Sequence, residues 1–226
     1  MVGFKKMFFP AIEKAKGIIG GDDFGTPRSI YLRYPQGLPP EEQRQDDRCM
    51  AGFLDHIVHP ASIMIYLMGP VHSLYFLREE WSGGTVASIR FRSGAIGTLH
   101  LTAGQSGASP LERVEVIGDG ANVVVDNGVH VTYYRKAFRG HYGRTPSYLV
   151  SDEQAPLFWE PEFSLGQLYN KNLFMLGYAQ EVLHFCECVL GGTPLEKAHL
   201  YDALQIMKVY EAYRAAEGKK VILPED

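Results

Sequence analysis

The 226-residue sequence has three cysteines, Cys49, Cys186 and Cys188, with no framework spacing, which excludes a disulfide scaffold. So few thiols fit a reducing compartment, and a cytoplasmic protein is expected. Cys186 and Cys188 stand two apart in "HFCECVLGG". On a helix such positions point about 200° apart, so they cannot share a metal or a bond there and read as packing thiols. Long apolar runs are missing too: none approaches the ~18 residues of a membrane span. The opening "MVGFKKMFFPAIEKAKG" places two lysines ahead of an apolar patch, but that patch stops at Pro10 and charge resumes at Glu13. It reads as mature structure rather than a leader. Neither sign of charge dominates, and a net charge of −4 gives no reason to expect nucleic acid or an anionic membrane as partner. A nucleotide loop is also lacking. "VIGDGANVVV" offers Gly118-x-Gly120 after a strand, yet the chain continues into β-branched residues instead of a third glycine and a helix. That stretch is a hairpin turn, and the chain carries no recognisable nucleotide site of its own.

What is present suffices for one large domain or two small ones. Hydrophobic residues make up 46% and charged residues 21%, the balance of an ordinary globular chain with a real core. Residues 2–4 read as the end of a strand. A helix is expected from Phe8 to Ile19, with Ala11, Ile12, Ala15, Ile18 and Ile19 on one face. "RSIYLRYP" reads as a strand, and "PQGLPPEEQRQDDR" as a charged, proline-rich loop. A second helix covers Cys49 to Met68, with a kink or break expected at His59 because Pro60 lacks an amide donor.

From Val71 the pattern alternates, and six short strands follow: "VHSLYFLREE", "GTVASIRFR", "AIGTLHLTA", "ERVEVIG", "NVVVD" and "VHVTYY". Glycine-bearing turns at 93–95, 118–121 and 126–128 predict sequential hairpins, hence an antiparallel meander. After an irregular stretch, helices are expected over 166–190 and 197–217, the second with Leu204, Met207, Val209, Tyr210 and Tyr213 on its apolar side. The short strand "KKVILPE" closes the chain. The fold class is α+β, a largely antiparallel, open-faced sheet with helices packed on one face.

The chemistry concentrates in "FLDHIVHP", residues 53–60. Asp55 and His59 are one helical turn apart and share a face, with His56 beside them. Spacing alone leaves three readings open: a structural polar pair, a metal site, or an acid–base pair in which carboxylate and imidazole orient each other. A zinc site needs a third protein ligand, and the remaining histidines form no spaced pair. Arg135, Lys136, Arg139, His141 and Arg144 form a basic cluster that suits either an anionic substrate or a solvated loop. Trp159 in "LFWEPEF" suits either a sugar ring or the core.

The order of these pieces resembles the C-terminal domain of the glucose–fructose oxidoreductase/inositol dehydrogenase/MocA family of NAD(P)-dependent dehydrogenases. Three stretches carry the resemblance: "VGFKKMFFPAIEKAKGII", "FLDHIVHPASIMIYLMG" and the closing "YAQEVLHFCECVLGGTPLEKAHLYDALQIMKVYEAYRAAEGKKVILPE". Between them "ASIRFRSGAIGTLHL" and "EVIGDGANVVVD" fall where the family's sheet would put them. The resemblance implies that His59 is the general acid–base and that Asp55 orients the substrate or the proton relay. Arg33, Tyr34, His56 and Trp159 join them as substrate-binding residues. It implies a sugar, polyol or related hydroxy compound as substrate and NAD or NADP as cofactor of the full-length protein, with none held by this chain and no metal. Residues 1–20 then finish a missing N-terminal Rossmann domain and its linking helix. Residues 21–226 form the substrate-binding and oligomerisation domain, expected to be inactive alone and to build a homo-dimer or tetramer through its sheet face. The chain departs from the family pattern in three places. Only Gly52 remains of the glycine-rich lead-in, Ser62 replaces an aspartate, and Met7-Phe8 stands for arginine-phenylalanine. A non-catalytic assembly module on the same scaffold is the alternative, and a metal-dependent hydrolase using Asp55, His56 and His59 a more distant one.

Overall fold

A computed structural model describes residues 1–136, 155–162 and 171–225 of the chain. A 3-10 turn over Lys5–Phe8 leads into α1 (Pro10–Ile19), where Pro10 at the first helical position costs no hydrogen bond. Then come β1 (Ser29–Tyr34), α2 (Asp47–Met68), β2 (Val71–Arg78), β3 (Thr85–Phe91), β4 (Ile96–Leu101), β5 (Arg113–Ile117), β6 (Asn122–Asp126) and β7 (His130–Tyr134). The rest is β8 (Leu157–Trp159), α3 (Lys171–Met175), α4 (Tyr178–Gly191), α5 (Leu200–Ala212) and β9 (Val221–Ile222). The expected α+β class and open-faced sheet are both found. Residues 2–4 are not a strand; the Val2 amide instead donates to the Ala198 carbonyl.

The nine strands form one sheet in the order β8-β7-β6-β5-β1-β4-β3-β2-β9. The six predicted strands and their turns are present, but they do not make one meander. β1 inserts between β4 and β5, parallel to β4 and antiparallel to β5. Local turn chemistry specifies hairpins between neighbours in sequence, and it is silent about a distant strand that takes a central place. One face of the sheet, built from alternate residues such as Ile30, Leu32, Leu99, Val114, Val116 and Val123, packs under α1 and α2 in a single core. No helix among the described residues is long and apolar enough to cross a membrane.

Three helical expectations change. First, α2 continues through buried Pro60 as one helix, so no break falls at His59. Second, Gly177 at φ 73° divides the helix expected over 166–190 into α3 and α4, and residues 163–170 lie outside the described residues. Gly177 is needed because a Cβ there would meet the Lys5 and Phe8 carbonyl groups. Third, α5 is shorter than expected. His199 caps it, accepting from the Asp202 amide while the Asp202 carboxylate accepts from the His199 amide. Its buried side is Gln205, Ile206, Val209, Tyr210 and Ala212, whereas Leu204 and Met207 are exposed. Of the two thiols read as packing groups, Cys188 is buried and Cys186 is exposed.

Candidate active site

At the exit of β1, Tyr34 turns its side chain under α2. Its carbonyl accepts from the Thr102 amide at 2.8 Å and from the Thr102 hydroxyl at 3.2 Å. Two residues on, buried Gln36 donates to the Phe53 carbonyl at 2.7 Å, locking the strand exit against the helix. The opposite wall comes from the 3-10 turn, which presents Lys5 and Lys6, and from Glu112 and Asn127. These two close a reciprocal clip. The Glu112 amide donates to Asn127 Oδ1 and the Asn127 amide to the Glu112 carbonyl, each at 2.9 Å. Asn127 has φ 51° and Gly128 φ 66°, the left-handed pair that a tight β6–β7 hairpin requires. The space between is a cleft of about 370 Å³ lined by Lys5, Lys6, Tyr34, His56, His59 and Glu112, with Phe9, Pro110, Asn127 and Leu176 completing it.

His59 is half-buried, its ring centroid 6.3 Å from that of Tyr34. Burial, then the ammonium groups of Lys6 and Lys5, hold its imidazole down to about 4, against a smaller opposing pull from Asp55. At neutral pH it is therefore uncharged and keeps a lone pair to accept a proton. Ser62 donates to the His59 carbonyl at 2.8 Å, a helical i−3 contact where the family pattern has an aspartate. Burial, with the charges of Glu112 and Asp55, pushes the Tyr34 hydroxyl up, so it remains a neutral donor and acceptor. Lys6 is buried, pairs with Glu112, and lies 4.6 Å from the centroid of the Tyr34 ring. Burial lowers its affinity for a proton, while Glu112 opposes the shift.

The structure brings Tyr34, His56 and His59 to one cleft and leaves the other expected residues outside its lining. Asp55 is exposed, although its field reaches both His59 and Tyr34. Arg33 precedes Tyr34 on a strand and so faces the other side of the sheet, beside His100 and Gln105. Trp159 is on β8, an edge strand paired with β7, and packs against the core. Arg139, His141 and Arg144 of the basic cluster lie outside the described residues. Among the described residues no group of three His, Cys, Asp or Glu side chains could hold a metal ion.

Sequence reasoning missed Lys5, Lys6, Glu112 and Asn127. The signal available was "FKKMFF", a pair of lysines inside an apolar stretch that must be buried; nothing local marks Glu112. The Gly118 turn packs directly on Phe24, leaving no room there for a pyrophosphate.

Comparison with known proteins adds to this geometry. A family model described as the GFO/IDH/MocA C-terminal domain matches residues 12–124, half of the chain. Among solved structures, levoglucosan dehydrogenase in complex with NADH and levoglucosan is 19% identical with a TM-score of 0.74, over 99% of this chain and 66% of its own. An NAD binding oxidoreductase from Klebsiella pneumoniae gives 17% identity and a TM-score of 0.73, over 100% of this chain and 66% of its own. An oxidoreductase from Agrobacterium radiobacter in complex with NAD+, L-tartaric acid and magnesium gives 14% and 0.70, over 98% of this chain and 64% of its own. At these identities the likeness establishes the fold, and the chain spans just under two thirds of the length of each. The search of curated protein sequences gave no match.

Proposed function

Because the chain belongs to the GFO/IDH/MocA C-terminal domain family of oxidoreductases, we propose that it is the substrate-binding half of an NAD(P)-dependent dehydrogenase. The substrate would be a sugar, a polyol or a related hydroxy compound. The observation that carries this reading is the cleft with an uncharged His59 beside a neutral Tyr34 hydroxyl. The redox step would belong to NAD(P), held by a separate nucleotide-binding domain that accompanies this one. This chain's part is the proton. The His59 imidazole takes it from the substrate hydroxyl as the carbon is oxidised, and Asp55, one turn away, favours the imidazolium that results. Tyr34 hydrogen-bonds and orients that hydroxyl. The Lys6–Glu112 pair fixes the far wall and presents fixed charge to the other hydroxyl groups.

Two exposed apolar surfaces support a larger assembly. On α4, Val182, Leu183, Phe185, Val189 and Leu190 are exposed, and Cys188 is the helix's one buried residue. So apolar a helix face marks an interaction site. It borders the cleft through Leu176 and Tyr178, where a nucleotide-binding domain would complete the site. The open sheet face exposes Leu77, Val86, Ile96, Ile117 and Phe158, and suits a dimer or tetramer. That second surface would serve the alternative reading, a non-catalytic assembly module, equally well.

The deciding experiment joins the chain to a nucleotide-binding domain and assays NAD(P)+ reduction across a sugar and polyol panel, with His59→Ala alongside. Turnover that falls by ~10²–10⁴ in the variant is expected. Turnover unchanged by the substitution would remove His59 from the chemistry. Self-association without affinity for any hydroxy compound would favour the assembly module.

A further inference from the structure

The cleft holds two ammonium groups and one carboxylate. Buried Lys6 is neutralised by Glu112 in the same lining. Lys5, half-buried beside it, has no carboxylate at ion-pair distance among the described residues. Its Nζ donates to the Tyr178 phenol oxygen at 2.7 Å and lies 4.6 Å from that ring's centroid, both uncharged partners. Glu181, one turn along α4, feels the Lys5 charge, but burial raises its carboxyl and it stands beyond ion-pair distance of Lys5. A cation facing a small cleft with only a neutral partner is an incomplete pair, and hydrogen bonds between ionised groups are roughly twice as strong as neutral ones.

We propose that the substrate carries a carboxylate bound by Lys5, with the hydroxyl to be oxidised lying toward His59 and Tyr34. This rests on the dehydrogenase reading above and narrows its substrate class to hydroxy acids of the sugar-acid type. A carboxylate matches better than a phosphate ester, because one uncompensated positive charge balances a monoanion. The cleft, about 370 Å³, lies at the lower end of small-ligand sites and suits a six-carbon acid.

The same charges link binding to chemistry. His59 is faced by Lys5 and Lys6 from the 3-10 turn, Tyr34 from β1, Asp55 and His56 from α2, Glu112 from the loop before β5, and more distantly Tyr178 and Glu181 from α4. A carboxylate on Lys5 offsets one of the two ammonium fields that depress the imidazole. The substrate's own charge then makes His59 a stronger base, so a neutral polyol of the same skeleton meets a weaker one.

The test uses the 226-residue chain, ¹⁵N-labelled, titrated with D-gluconate, D-glucitol and glucitol 6-phosphate at one ionic strength set with sodium chloride. Amide and imidazole resonances report where each compound binds. Gluconate is expected to bind at least ~10-fold more tightly than glucitol, shifting Lys5, Tyr34 and His59 and raising the His59 titration midpoint. Lys5→Met and Lys5→Gln should each abolish most of that preference, read as the ratio of gluconate to glucitol affinity within each variant. Equal binding of gluconate and glucitol, or a preference that survives both variants, overturns the carboxylate and leaves the dehydrogenase reading standing. Tighter binding of glucitol 6-phosphate overturns the choice of carboxylate over phosphate. If no compound perturbs the cleft residues, the carboxylate proposal falls, and the dehydrogenase reading is decided separately by the turnover assay with a nucleotide-binding domain joined to the chain.

Discussion

Tyr34 and His59 meet across the cleft with ring centroids 6.3 Å apart and planes tilted by 59°, one on a strand and the other on a helix. The Thr102 and Gln36 hydrogen bonds fix that approach, so the two side chains face the same cleft. Replacing Tyr34 by Phe keeps the ring and removes a single hydrogen bond, worth about 0.5–1.5 kcal/mol. KM for the preferred hydroxy compound should rise about 2- to 10-fold with little change in kcat, measured with the chain joined to a nucleotide-binding domain. A fall in kcat with constant KM would instead move Tyr34 into the proton transfer.

The pH dependence of stability follows from His59. The unfolded chain takes a proton there near pH 6.5, whereas the folded chain takes it only near pH 4. Between those values the unfolded state binds more protons, so stability rises with pH. The contribution is complete above pH 6.5 and is lost as pH falls to about 4. Urea unfolding across this window should show a shallower pH slope for His59→Gln than for the wild type. Superimposable slopes would mean that the imidazole titrates normally.

Lys6 and Glu112 are unequally buried, with side-chain exposures of 7% and 28%. Glu112→Gln strands the deeper charge and should cost about 3 kcal/mol, the scale for breaking a buried pair. Lys6→Met strands the shallower one and should cost less. The double variant should recover much of the loss. Additive losses in denaturant unfolding would show that the pair does not couple.

Gly177 closes the chain over the 3-10 turn with φ 73°, and a Cβ placed there falls 2.9 Å from the Phe8 carbonyl carbon. Gly177→Ala combines a left-handed alanine, costing about 1–2 kcal/mol, with a backbone clash. Destabilisation of about 3 kcal/mol or more is expected, with altered amide shifts at Leu176 and Tyr178 as the cleft wall moves. A fully stable variant with unchanged shifts would contradict the close approach.

Arg33 provides a control. Its side chain lies on the open sheet face with His100 and Gln105, not in the cleft. Arg33→Ala should leave binding of hydroxy compounds unchanged and alter self-association measured by sedimentation. Loss of ligand affinity with constant association state would place the substrate on the opposite face.

The sequence by itself determined β1 to β7 and the helix that carries Asp55 and His59. Alternation from Val71 and the glycine turns are local signals, because a strand's period of two and a turn's left-handed residues are set by neighbours in the chain. The Asp55–His59 spacing likewise placed both residues on one turn of α2. Only the tertiary structure decided where β1 goes, since pairing with β4 and β5 depends on contacts between residues more than 60 apart in the chain. It also decided which side of β1 faces the cleft. Tyr34 and Arg33 are adjacent in sequence, yet the pleat sends them to opposite faces, and the buried face is the one under α2. Lys6 and Glu112, 106 residues apart, became partners through the same closure. Burial first, and then the ammonium fields of the 3-10 turn, hold His59 uncharged, and no spacing rule on α2 could have supplied either. Local order is encoded along the chain, whereas the charge state of the site is a sum over space.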